Sequence, residues 1–177
     1  MTAPDYGHLV MALLGVSLVA AVPGWTRTGR VIWPPFSTAV LLAALAVAGG
    51  APEIEIESGA MTALAVALAG ALAVVGGGPV TALLFRLIDG ERFDEPDSRE
   101  AAAGLRAELV IGVLERVAVF VSLVAAFPEG IAIALAVKGL GRYPQLRAPG
   151  AAERFIVGTF ASVLWASACA GVILLSR

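Results

Sequence analysis

LVIGVLERVAVFVSLVAAFPEGIAIALAVKGLGR, residues 109–142, sets Glu115, Arg116 and Lys138 inside two apolar segments joined by Phe127-Pro128-Glu129-Gly130. A charge at membrane depth is costly and marks a functional-site hypothesis by default. At 1.5 Å per residue, Glu115 lies roughly 9 Å beyond Leu109. Lys138 lies about one turn inside the end of the second segment. The tight turn makes the two helices antiparallel neighbours, so Glu115 and Lys138 reach similar depth and can pair, which lowers the cost of burying either. Arg142 shares the Lys138 face at i,i+4. Arg116, about 100° round the helix from Glu115, can snorkel to the interface or join the cluster. A third apolar segment opens with Glu153-Arg154 and brings both into the same layer. Glu115, Arg116, Lys138, Arg142, Glu153 and Arg154 are therefore the candidate ligand-binding residues.

Composition fixes the class around this stretch. Of 177 residues, 59% are hydrophobic and 15% charged, against about 45–50% and about 25% in soluble domains. Mean hydropathy is +0.89. The expectation is an all-α, polytopic membrane protein forming one integral membrane domain over residues 1–177. About six transmembrane helices are expected, near 6–22, 31–48, 60–88, 109–127, 129–141 and 154–175. The fifth is the weakest span.

Pro23-Gly24 stops the first helix, and Pro34-Pro35 fits the first turn of the second. Trp25 and Trp33 flank the loop between them as an interfacial aromatic belt does. Residues 51–58, APEIEIES, read as a solvated outer loop or one short strand. The third segment would be about 45 Å long if wholly helical, against a hydrocarbon core of about 30 Å. Gly76-Gly77-Gly78-Pro79 interrupts it, and a break is expected there. Ala65, Ala69, Ala73 and Gly77, and again Gly158, Ser162, Ala166 and Ala170, form small-residue stripes suited to close helix packing. Self-association through such faces is expected, as a homo-oligomer or with a membrane-protein partner. Residues 89–108 are polar and read as a cytoplasmic linker, with a short amphipathic helix capped by Ser98.

Orientation follows from the cations. With both termini outside, every Arg except Arg177 falls in or beside cytoplasmic loops or, like Arg116 and Lys138, near that side. The single Lys, Lys138, stands out among arginines. The single His8 reads as interfacial, and the single Cys169 admits neither an intrachain disulfide nor a thiolate metal site. No metal motif, cofactor motif or nucleophile elbow is present, and the glycine run lacks the Lys-Ser/Thr of a phosphate loop. Basic residues dispersed among acids do not suggest nucleic-acid binding.

GVLERVAVF (112–120), PEGIAIALAVKGLGRYPQLR (128–147) and AERFIVGTFASVLWASACAGV (152–172) resemble the C-terminal half of a family of small bacterial inner-membrane proteins, actinobacterial members above all. An E-R pair, an A-x-K and an E-R-F-x-x-G-T run carry the likeness. It implies a bacterial plasma membrane location and brings no activity with it. Two functions are expected from the residues. One is binding or transport of an anionic ligand or lipid head group at the cytoplasmic-leaflet cluster, with membrane lipids as partners. The other is a non-catalytic assembly subunit whose charges are structural. An enzyme ranks behind both.

Overall fold

The computed structural model describes residues 2–52, 54, 58–89, 99–147 and 150–176, without the side chains of residues 89, 99–107 and 145. Local chemistry sets the helix starts. α1, Ala3–Ala21, opens where the Asp5 carboxylate accepts from the Thr2 N–H at 2.7 Å and the Thr2 hydroxyl at 2.8 Å. Its helical path tightens into a 3-10 turn, Val22–Trp25, at Pro23. α2, Trp33–Gly50, takes its prolines in the first turn, where the missing N–H would have no intrahelical partner anyway. A buried reciprocal pair joins α1 to α2. Ser17 Oγ donates to the Ser37 carbonyl at 2.8 Å, and Ser37 Oγ donates to the Ser17 carbonyl at 2.9 Å.

α3 runs without interruption from Gly59 to Asp89, with Pro79 inside it. The expected break at residues 76–79 does not occur, because side chains from other helices supply what the sequence there lacks. Pro79 has no N–H for the Val75 carbonyl, and the Trp25 indole N–H donates to that carbonyl at 3.0 Å. The absent glycine side chains leave room for large neighbours. A Cβ on Gly78 would lie 2.7 Å from the Trp25 ring, and one on Gly76 would overlap the Trp165 indole. Trp25 thus works as a backbone surrogate as well as flanking its loop.

α4 spans Arg99–Val124, beginning ten residues before the expected start at 109, so the short helix expected from Ser98 is its first turns. Residues 90–98 of the expected linker, and residues 53 and 55–57 of the acidic loop, lie outside the described residues. α4 closes in a Schellman arrangement, with Phe127 N–H donating to the Ser122 carbonyl at 2.8 Å and Ala126 N–H to the Leu123 carbonyl at 3.1 Å. Ala126 takes the left-handed position, φ 55°, that glycine usually fills. α5, Glu129–Arg142, follows at once, and α6 covers Ala151–Leu175.

α3 and α6 pack along each other at the centre, α1 and α2 cover one side, and α4 covers the other, with α5 held chiefly by α4. The small-residue stripes are spent within the chain. Ala65, Ala69 and Ala73 on α3, and Ser162, Ala166 and Ala170 on α6, are all buried in the bundle, so these faces are not free for a second copy. Large apolar side chains point outward instead, Val19 72% and Leu164 66% exposed, which suits lipid better than water. Among the described residues, four stretches are long and apolar enough to cross a membrane: Ala3–Trp25, Trp33–Gly50, Gly59–Ile88 and Ala151–Leu175. α4 is not among them, its apolar half holding Glu108, Glu115 and Arg116. α5 has 14 residues, about 21 Å at the α-helical rise. Among the described residues there is no strand.

Candidate functional site

The glycine run of α3 determines where the charges of α4 can go. With no side chain at Gly77, the Arg116 stem lies directly against the α3 backbone, where a Cβ would collide with its Cδ. Gly112, one turn earlier on α4, leaves the same space above the guanidinium, since a Cβ there would sit 3.2 Å from Nη1. Arg116 is consequently 4% exposed. It does not snorkel. It points between α3, α4 and α6, where Nη1 reaches Ser162 Oγ at 3.5 Å, a long contact for a hydrogen bond. Its Nε has no partner, and Arg116 forms no ion pair among the described residues.

Glu115 faces the other way round the same helix turn. It is buried, and its Oε2 accepts from Lys138 Nζ of α5. The antiparallel hairpin brings these two residues together as the spacing predicts. One turn nearer the helix ends, Arg142 Nη1 donates to Glu108 Oε1 at 3.0 Å, in a more exposed pair. Lys138 Nζ also stands 5.5 Å from the centre of the Phe155 ring of α6, so the ammonium is held by a carboxylate on one side and an aromatic face on the other.

These groups surround a cavity of about 520 Å³ between α3, α4, α5 and α6. Among the described residues, Arg116, Lys138, Arg142 and Arg154 line it with Glu108 and Glu115, four cations against two carboxylates. Phe85, Leu109, Ile111, Leu146 and Phe155 make much of the remaining wall. Four buried side-chain polar atoms among the described residues lack a hydrogen-bond partner: Thr81 Oγ1, Glu115 Oε1, Arg116 Nε and Thr159 Oγ1. All four belong to residues lining this one cavity. Buried polar groups are ordinarily satisfied, so a cluster of exceptions calls for a cause. No protein family, curated protein or solved structure matches the chain. The site therefore has to be interpreted from its own chemistry.

Of the six residues expected here, the cavity gathers Glu115, Arg116, Lys138, Arg142 and Arg154. Glu153 is exposed and stands outside it, because one residue along a helix turns the side chain by about 100°. Thr81 and Thr159 were not singled out from the sequence. Their signal was a hydroxyl in an apolar run, which most often bonds a carbonyl one turn back; neither does so here. Gly158 and Ser162, read as a packing stripe, also form cavity wall. Among the described residues no group of His, Cys, Asp or Glu is placed to hold a metal ion.

Proposed function

We propose that this chain is an integral membrane protein that binds an anionic lipid, taking the head group beside Arg116 and the start of the chains along Phe85, Leu109 and Ile111. The observation that carries the proposal is Arg116: a buried guanidinium beside a cavity, with Nε unpartnered and no ion pair among the described residues. A charge left so in a protein interior is strongly unfavourable, and an anion in the cavity supplies the missing counter-charge. The cavity falls within the roughly 300–1,000 Å³ usual for small-molecule sites. The rival role, charges that only lock helices, suits Glu115–Lys138 and Arg142–Glu108. It leaves Arg116 and the three other unpartnered atoms without a purpose.

For the membrane arrangement, we propose four crossings by α1, α2, α3 and α6 in a bacterial plasma membrane, both termini outside. The α4–α5 hairpin enters from the cytoplasmic side and returns to it. Above the level of Arg116, α4 continues for only about 12 Å, whereas α3 rises about 27 Å above Gly77 at the same level. A hairpin that enters and leaves by one face keeps both termini on one side, as six crossings would.

Native mass spectrometry of protein in a neutral detergent tests the function. With added phosphatidylglycerol the expected spectrum carries bound lipid, and with phosphatidylcholine it does not. Dimethyl phosphate, a head group without chains, should bind far more weakly than phosphatidylglycerol. Arg116→Gln should weaken retention about tenfold to hundredfold, the equivalent of a hydrogen bond to a charged group at about 1.5–3 kcal/mol. Arg154→Gln, at an exposed position, should weaken it less. Equal retention of both lipids by both variants would overturn the proposal.

A further inference from the structure

Glu115 carries a feature that anion binding alone leaves unused. One carboxylate oxygen, Oε2, accepts from Lys138, while Oε1 is buried, unpartnered and on a residue that lines the cavity. An anion entering the site would meet a second negative group at close range. Two anionic groups sharing a buried site do not readily both stay ionised. Protonation of Glu115 resolves the conflict in three ways at once. It removes the like charge. It converts the unpartnered oxygen from an acceptor into an O–H donor aimed at the newcomer. It also releases Lys138 Nζ, which then has a second anion to hold.

The other charged groups facing Glu115 are mostly cations, which an arriving anion would share with it. Among the described residues these are, on its own helix, Arg116 and, two turns back toward the rim, Glu108; α5 contributes Lys138 and Arg142, and α6 contributes Arg154. Among its described side chains α3 presents Gly78, Thr81, Ala82 and Phe85 to the cavity and no charge. Glu108 cannot take the same part, since it is already paired with Arg142 and its side chain is 53% exposed, where water screens it.

We propose that Glu115 is the proton-coupling group of the site, so that each anion bound takes up one proton from solution onto its unpartnered oxygen. Loss of that proton restores the Lys138–Glu115 pair and expels the anion. The only bond made and broken is the O–H of Glu115; one anion and one proton enter together and leave together. The inference rests on the anion-binding reading and adds to it a direction: a pH difference across the membrane would bias loading and release.

The test is calorimetric titration of the full chain in neutral detergent with phosphatidylglycerol, whose phosphodiester stays ionised throughout. Heats measured in two buffers of different ionisation enthalpy give the protons taken up. The expected result is close to one proton per lipid, with affinity rising as pH falls. Glu115→Gln should bind with pH-independent affinity and no proton uptake, while Glu108→Gln should keep the linkage. Binding by the wild-type chain without proton uptake overturns the coupling and leaves anion binding standing, as does linkage that survives in Glu115→Gln for the assignment to this residue. Absence of phosphatidylglycerol binding at every pH overturns both. The wild-type measurement decides the matter even where a variant does not fold.

Discussion

Two neighbouring residues, Glu115 and Arg116, meet opposite fates on one helix turn. Glu115 finds Lys138 across a hairpin, and Arg116 finds glycine backbone, a distant serine hydroxyl and a cavity. Their substitutions should therefore behave differently. Glu115→Gln removes a buried carboxylate beside two cations, Lys138 and Arg116, whereas Lys138→Met leaves Glu115 next to Arg116. Both should destabilise the detergent-solubilised protein, the first by about 3–5 kcal/mol and the second by less. The double variant should recover part of the Lys138 loss, because no carboxylate is then left unpaired. Denaturation of the four proteins of this cycle checks it, and strictly additive losses would remove the pair from the description. The Glu115–Lys138 contact could be read from sequence because a four-residue turn fixes the register of the hairpin. The burial of Arg116 could not. It depends on how closely α3 and α6 approach α4, and that approach is set by Gly77, Gly112 and Ser162 on three separate helices.

At the scale of elements, α3 is where local propensity and tertiary structure disagree. Three glycines and a proline argue for a break, yet the helix continues because Trp25 caps the Val75 carbonyl and Trp165 donates to the Leu72 carbonyl at 3.1 Å. Those donors come from residues 50 and 93 positions away in the chain, beyond the reach of any window of sequence. Trp25→Phe should cost about 0.5–1.5 kcal/mol by removing the hydrogen bond to the Val75 carbonyl. In a Pro79→Ala background a backbone N–H returns to Val75, so the same Trp25→Phe change should cost much less. Thermal unfolding of the cycle reads this directly; an equal cost in both backgrounds would show that the indole acts through packing alone. The same helix shows why the cavity exists. Gly78 and Thr81 form part of its wall, so the stretch that looked like a breaking point is the smooth side of the site. Helix existence was legible throughout, since long apolar runs between Pro and Gly admit little else. Helix ends were less so, and α4 gained its first turns from a polar segment whose amphipathic character had been read as separate.

For the molecule as a whole, the four long apolar helices make a frame and the α4–α5 hairpin carries most of the charge against it. Cys substituted for Glu129 at the hairpin tip should stay unlabelled by an impermeant maleimide in intact cells, because the tip does not reach the outer face; ready labelling would give six crossings instead. The cationic end of the bundle gathers Trp25, Pro79 and the cavity at one level, which in the proposed arrangement is the level of the cytoplasmic-leaflet head groups. Stability and function are set against each other there. The measurement that tests the central claim most directly is thermal unfolding of the wild-type chain and Arg116→Gln, each with and without phosphatidylglycerol. A ligand at about a hundred times its dissociation constant adds about 2.7 kcal/mol to the folded state. The wild-type protein should gain that stabilisation from the lipid. Arg116→Gln should be at least as stable as wild type without lipid, having lost a buried cation that no ion pair holds among the described residues, and should gain little from adding it. A variant that is strongly destabilised without lipid and responds to phosphatidylglycerol as fully as wild type would contradict a site built around Arg116.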